Sequence, residues 1–246
     1  MYPVIVRFGD FEITSFGVMV GIAVLVGVWV YGRELQRARM APDRLDAALW
    51  GAFGGMAGAK LIWAIEFSDD APFLELLLSR GGLSWYGGLL GGVGAAVLVV
   101  WRRHWKLLPI LAAATPALAF GHLLGRIGCF LVGDDYGRPT NLPWGIAFPQ
   151  GLPPTTVPVH PTQLYEAAFL GALGWLLIHW RRTGLVDAAV LGRYLILAGA
   201  ARFAIEFIRV NEPVALGLTL AQWLSLTVII AGAGAIATGR RSKAAL

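Results

Sequence analysis

Apolar runs dominate this chain, and short polar stretches cut them at near-regular intervals. A helix needs about 20 apolar residues to cross the ~30 Å hydrocarbon core of a bilayer. Seven runs of that kind are predicted as spans, at residues 13–31, 45–67, 83–101, 107–131, 161–180, 186–208 and 216–238. Met1 to Glu12 lacks a basic start followed by an apolar core, so no cleavable signal is expected there; it reads as a short interfacial strand or half-turn. In the second span, Gly51/Gly55 and Gly54/Gly58 have the small-xxx-small spacing of closely packed helices, and the third opens with Gly87-Gly88 and Gly91-Gly92. Pro109 and Pro116 predict kinks in the fourth. Residues 132–160 break the pattern: six prolines from Pro139 to Pro158 make this an extended loop outside the membrane. No internal repeat is visible, so residues 1–246 are expected to form one polytopic domain.

Composition fixes the class. Charged residues make up 14% of the chain and hydrophobic ones 57%, whereas soluble domains carry about a quarter charged residues. The net charge of +5 would suit a nucleic-acid partner if it were clustered, but it is not. Twelve Lys/Arg follow the first, third, fifth and seventh spans; four (Arg7, Arg80, Arg138 and Arg209) lie on the other side. Under the positive-inside rule the N-terminus is outside and the C-terminus cytoplasmic. The expectation is therefore an all-α integral membrane protein with seven transmembrane helices, an extracytoplasmic loop domain at 132–160 and no nucleic-acid partner. The single cysteine, Cys129, excludes an internal disulfide.

Four basic residues remain within spans: Lys60, Arg126, Arg193 and Arg202. Arg193, near a cytoplasmic end, can snorkel. The other three occupy the outer halves of their helices, where a cation is costly unless paired or functional. His122 lies one turn before Arg126, and Gly125 and Gly128 flank that arginine. Arg202, Glu206 and Arg209 share one stripe of the sixth span; His160, Gln163 and Glu166 open the fifth; Asp134, Asp135 and Tyr136 sit at the mouth of the fourth. Several cations at one level suit an anionic phospholipid headgroup, because a guanidinium can chelate phosphate oxygens. The other reading is that Arg202–Glu206 and Arg126–acid pairs only fasten helices. His160 fits a loop-to-helix cap as well as a catalytic role, Tyr165 and Trp144 fit interface anchors, and Cys129 fits a buried packing position. The four histidines show no ligand-spaced pair, so neither metal nor other cofactor is expected.

These residues together resemble the prolipoprotein diacylglyceryl transferases. The matching stretches are Gly125-Arg126-Ile127-Gly128, Phe130, Gly133-Asp134, Tyr136-Gly137-Arg138-Pro139-Thr140 and Leu142-Pro143-Trp144-Gly145. His160-Pro161-Thr162-Gln163-Leu164-Tyr165-Glu166 follows, then Arg202-Phe203, Glu206-Phe207 and Arg209. Gly58-Ala59-Lys60-Leu61, Gly81-Gly82-Leu83-Ser84 before Gly87-Gly88, and Leu218-Thr219 with Gln222-Trp223-Leu224-Ser225 complete the match.

The resemblance implies a multi-pass enzyme of the bacterial plasma membrane. Such an enzyme moves the diacylglyceryl group of phosphatidylglycerol to the lipobox cysteine thiol of a prolipoprotein signal peptide, releasing glycerol phosphate. Arg126 and Arg202 would hold the phosphate and stabilise charge on it as it departs. Lys60, Asp134, Gly137, Glu206 and His160 would complete the lipid site. The chain departs from the family pattern at Tyr86, where a histidine base is expected, and at Cys129 and Val132, where asparagines are expected. It departs also at Asp134 for glutamate, Phe16 for tyrosine and Lys60 for arginine. Tyr86 and His122 are thus the candidates for proton transfer. The alternatives are a paralogue using phosphatidylglycerol with another acceptor, or a non-catalytic protein that binds anionic lipid.

Overall fold

The computed structural model describes residues 3–9, 11–79 and 82–244. Arg80 and Gly81, named above, lie outside the described residues, as do the side chains of Arg240, Arg241 and Lys243. The chain opens with an antiparallel hairpin, β1 (Val4–Phe8) and β2 (Phe11–Thr14), followed by helix α1 (Ser15–Arg37). A 3-10 turn (Pro42–Leu45) leads into α2 (Asp46–Glu66), then come α3 (Phe73–Leu78), α4 (Trp85–Arg102) and α5 (Leu107–Val132). A second antiparallel pair, β3 (Ile146–Phe148) and β4 (Thr155–Val159), precedes α6 (Thr162–Arg182). Helix α7 (Asp187–Ile205) ends in a 3-10 turn (Glu206–Ile208), and α8 is Leu220–Ala244. The first strand pair falls where a short strand or half-turn was expected, whereas β3, β4 and α3 add regular structure to segments read only as loops.

Among the described residues, six helical stretches are long and apolar enough to cross a membrane: Ser15–Arg37, Pro42–Glu66, Trp85–Arg102, Leu107–Val132, Asp187–Ile208 and Leu220–Gly239. Helix α6 has 21 residues, about 31 Å of helix at 1.5 Å each, but it carries Gln163, Glu166, His179, Arg181 and Arg182. Eight of its residues, Gln163 and Glu166 among them, are buried. A helix covered by protein does not need a lipid-compatible surface, which is why its apolar signal is the weakest of the predicted spans.

Local capping sets the helix ends that hydropathy misses. Thr14 Oγ1 accepts the Gly17 amide at 3.1 Å, so α1 starts after the strand. It runs on to Arg37 because Arg, Glu and Gln end an apolar run without ending a helix. At α8, Thr219 Oγ1 takes the Gln222 amide at 3.2 Å and Gln222 Oε1 takes the Thr219 amide at 3.0 Å, a reciprocal capping box. Leu216 and Gly217, expected inside that span, instead form a left-handed turn at φ 49° and 73°. Pro109 falls in the first turn of α5, where no helical hydrogen bond is lost; Pro116 alone lies inside the helix.

The chain forms two compact units. One comprises residues 1–30 and 115–246; the other comprises 31–114. Within the first, α5 packs on α6 with Phe120 at 2.9 Å from the Cβ that Gly174 lacks, and α7 meets α8 where Gly192 faces the Gly232 carbonyl at 2.6 Å by the same measure. Within the second, α2 and α4 meet backbone to backbone. A Cβ on Gly58 would overlap the Gly87 carbonyl and come 2.9 Å from Gly91 Cα, which fulfils the spacing read from the glycines.

Candidate functional site

The charged groups predicted near one level of α5, α6 and α7 are brought together inside the first unit, where they close into a ring. Arg126 Nη1 donates to Asp135 Oδ2 at 2.8 Å and its Nε lies 2.9 Å from Glu166 Oε2. Glu166 Oε1 accepts from Arg202 Nη1 at 3.2 Å, and Arg202 Nη2 is 2.7 Å from Glu206 Oε2. Arg209 Nε sits 3.7 Å from the same oxygen, while its Nη2 reaches Asp135 Oδ1 at 2.6 Å. Three guanidiniums alternate with three carboxylates, so the ring is neutral. The side chains of Glu166 and Arg209 are 6% and 7% exposed and that of Arg126 is 11%; burying so many charges is tolerable only because each has two partners.

The ring is charge-balanced but not fully hydrogen-bonded. Arg126 Nε, Glu166 Oε2, Glu206 Oε2 and Arg209 Nε are buried and meet their partners without an aligned hydrogen bond. Buried polar networks are normally satisfied, so these atoms are held by charge pairing rather than by aligned hydrogen bonds. The bonds described also leave Arg126 Nη2 and Arg202 Nε uncommitted.

Neighbouring elements fix the ring members. Glu206 Oε1 accepts from Asn211 at 2.5 Å and from Thr219 at 3.0 Å, locking it at the end of α7. Helix α5 stops at Gly133, φ 78°, where the amides of Gly133 and Asp134 both donate to the Cys129 carbonyl at 2.8 and 3.2 Å. Asp135, at φ 59°, follows, and its carbonyl takes bonds from Thr162 Oγ1 (2.8 Å) and Arg209 Nη1 (3.0 Å). Gln163 donates to the Asp134 carbonyl. The loop beyond packs round Phe148, which is fully buried, stacks on Tyr136 at 5.3 Å and meets Phe130 edge-on at 5.8 Å.

Of the residues singled out in the sequence, Arg126, Arg202 and Glu206 are in the ring. His122 is exposed and within electrostatic reach of Arg126 and Arg202. Asp134 is beside the ring rather than in it, with its side chain toward Cys129. Burial and the neighbouring Asp135 push its carboxyl above the ordinary range, against the bond from Cys129. Asp135 goes the other way: burial would raise it, but Arg209 and then Arg126 hold it below that range. Gly137 serves a close approach of the chain to itself, since a Cβ there would meet the Ile208 carbonyl at 2.6 Å; its amide donates to the His160 carbonyl at 2.9 Å. His160 Nδ1 lies 3.4 Å from Tyr165 Oη, which accepts from Trp144 Nε1 at 2.7 Å.

Lys60 and Tyr86 belong to the second unit. Lys60 Nζ donates to Ser79 Oγ at 2.9 Å and lies 4.5 Å over the Trp63 ring. Tyr86 is exposed and edge-on to Trp85 at 5.4 Å. The other three ring residues, Glu166, Asp135 and Arg209, belong to the polar cluster read from the sequence but were given no site role there. Charge balance was the available signal: three arginines near one membrane level require three acids, and Glu206 supplies one.

Helices able to cross a membrane, together with a buried ring of alternating charges, define a polytopic membrane protein with a polar site inside its helical bundle. The family model described as prolipoprotein diacylglyceryl transferase matches residues 3–238. The chain therefore belongs to the prolipoprotein diacylglyceryl transferase family. It is 31% identical over 239 residues to a phosphatidylglycerol–prolipoprotein diacylglyceryl transferase of Clostridium tetani, covering 94% of this chain and 95% of the relative. The Coxiella burnetii protein of that name is 35% identical over 255 residues, 98% and 96% of the two chains, and that of Idiomarina loihiensis is 36% identical over 196 residues, 76% and 73%.

Proposed function

We propose that this protein is a phosphatidylglycerol–prolipoprotein diacylglyceryl transferase of the bacterial plasma membrane, with the Arg126–Arg202–Arg209 ring as its headgroup site. Family membership supports the reaction, and the ring of incompletely hydrogen-bonded guanidiniums supports the location. All seven long helices, α6 included, cross the membrane, with the N-terminus outside, the C-terminus cytoplasmic and the 132–160 loop on the outer side. The charge asymmetry of the loops supports this orientation.

In the reaction the thiol sulfur of a lipobox cysteine, carried by a signal peptide, attacks the glyceryl carbon that bears the phosphate ester. A C–S bond forms, the C–O bond to phosphate breaks, and glycerol phosphate leaves with the bonding pair. Arg126 and Arg202 grip the phosphate and stabilise its growing charge. Glu166 and Glu206 hold those arginines in place. Gly137 and His160 complete the lipid site, with Asp134 at the end of α5. The thiol proton passes to His122, since an imidazole is a fit acceptor near neutral pH.

A second reading, the same lipid chemistry with another acceptor, rests on Tyr86 standing where the family pattern has a histidine. Complementation of a strain lacking its own diacylglyceryl transferase, with mass spectrometry of lipoprotein cysteines, separates the two. Thioether-linked diacylglycerol above background is expected. Its absence at normal expression levels excludes the peptide thiol as acceptor.

A further inference from the structure

We propose that Asp135 is a built-in competitor for the headgroup phosphate, and that it sets the apparent affinity of the site for anionic phospholipid. This rests on the reading of the ring as the headgroup site. Asp135 differs from the other two ring acids. Glu166 lies in α6 and Glu206 at the end of α7, with side chains 6% and 0% exposed, and Glu206 is further tied by Asn211 and Thr219. Asp135 lies in a loop, and its side chain is 43% exposed. Its two oxygens go to two different arginines, Oδ2 to Arg126 at 2.8 Å and Oδ1 to Arg209 at 2.6 Å. That bridge across two guanidiniums is one that two oxygens of a phosphodiester make equally well.

The backbone beneath it is pinned. The Asp135 carbonyl is held by Thr162 and Arg209, and the Asp134 carbonyl by Gln163. The carboxylate can therefore leave by side-chain rotation alone, with the loop unmoved. Charge also requires it to leave. Three arginines against three acids sum to zero, so a monoanionic phosphodiester added to the intact ring makes it −1. With Asp135 rotated out the ring is +1, and the phosphodiester restores neutrality. A zwitterionic headgroup brings a phosphate together with its own cation and gains less from the exchange, so the same displacement favours a headgroup of net negative charge.

The test uses the full-length protein in phosphatidylcholine vesicles with graded phosphatidylglycerol, measuring transfer to a lipobox peptide and inhibition by glycerol phosphate. Asp135→Asn keeps the shape and removes the charge. It is expected to lower the half-saturating phosphatidylglycerol fraction about tenfold, equivalent to about 1.4 kcal/mol, and to strengthen glycerol phosphate inhibition by a similar factor. Maximal turnover falls, because product leaves more slowly. Asp135→Glu, which retains a competing charge, is expected within about threefold of wild type. Asp135→Ala serves as the second neutral variant. An unchanged or higher half-saturating fraction in both neutral variants overturns the competitor role and leaves Asp135 as a fastening. Arg126→Ala tests the underlying reading separately: normal saturation in that variant removes the headgroup site itself, whereas lost saturation with an unaltered Asp135→Asn sinks only the competitor role.

Discussion

Glu166→Gln tests the ring as a physical unit. The glutamate bridges two arginines, with Oε2 at 2.9 Å from Arg126 Nε and Oε1 at 3.2 Å from Arg202 Nη1, and is 6% exposed. Glutamine keeps the volume and one carbonyl oxygen but puts an NH2 where the second oxygen was. One contact falls from a charge-assisted bond of roughly 1.5–3 kcal/mol to a neutral one of about 1 kcal/mol; the other becomes donor against donor and is lost. The sum is about 2–5 kcal/mol, overlapping the roughly 3–5 kcal/mol cost of removing one partner from a buried ion pair. For a chain of this size each 1 kcal/mol moves the thermal midpoint by about 2–4 °C, so a fall of about 4–20 °C is expected in detergent micelles. The double variant with Asp135→Asn should be non-additive by at least about 0.5 kcal/mol, since both acids share Arg126. A shift below about 2 °C, or strict additivity, would refute the ring as a coupled network.

Other outcomes follow from single contacts. Gly58→Val inserts a branched side chain against the Gly87 carbonyl and Gly91 Cα and should destabilise by about 1–3 kcal/mol or more. Gly94→Ala, with nothing within 4 Å of the added Cβ, should leave the midpoint equal or higher. Thr219→Ala removes both the α8 cap and the 3.0 Å bond to Glu206, and should cost about 2–4 kcal/mol by thermal or chemical denaturation. The two loop acids should titrate in opposite senses. Asp135 is held low by Arg209 and Arg126, so its contribution is complete above the unfolded value of about 3.9 and is lost as pH falls through the lower folded one. The midpoint difference between wild type and Asp135→Asn should be flat from about pH 8 to 5 and shrink only below about 4. Asp134 is raised by burial, so the folded state prefers it protonated and that preference is lost as pH rises through the raised value. Asp134→Asn should therefore gain in midpoint over wild type as pH climbs from about 4 toward 7.

The helices were legible because lipid leaves few options: runs of about 20 apolar residues fold as helices or not at all. What hydropathy blurred was any feature governed by contact rather than by lipid. Thr14 and Thr219 set helix starts through side-chain bonds that no apolar count registers. Helix α6 gave the faintest signal because protein, not lipid, covers Gln163 and Glu166. The strands at 146–148 and 155–159 lie among prolines that read simply as loop. In the site, Arg126, Arg202 and Glu206 stood out as charges in apolar sequence. The choice between Asp134 and Asp135 did not, because the left-handed turn at Gly133 and Asp135 decides which carboxylate faces the arginines. Glu166 was legible as polar but not as the bridge between Arg126 and Arg202, since its partners lie 40 and 36 residues away.

The central claim is that the arginine ring receives the phosphate of phosphatidylglycerol during transfer to a peptide thiol. The most direct measurement is in vitro transfer by purified protein in phosphatidylglycerol vesicles. Mass spectrometry follows the lipobox peptide while released glycerol phosphate is quantified alongside. Wild type should give one thioether-linked diacylglyceryl group per glycerol phosphate, and Arg126→Ala, folded by its melting profile, should give neither. Equal product from folded Arg126→Ala, or glycerol phosphate release without peptide modification, would contradict the account.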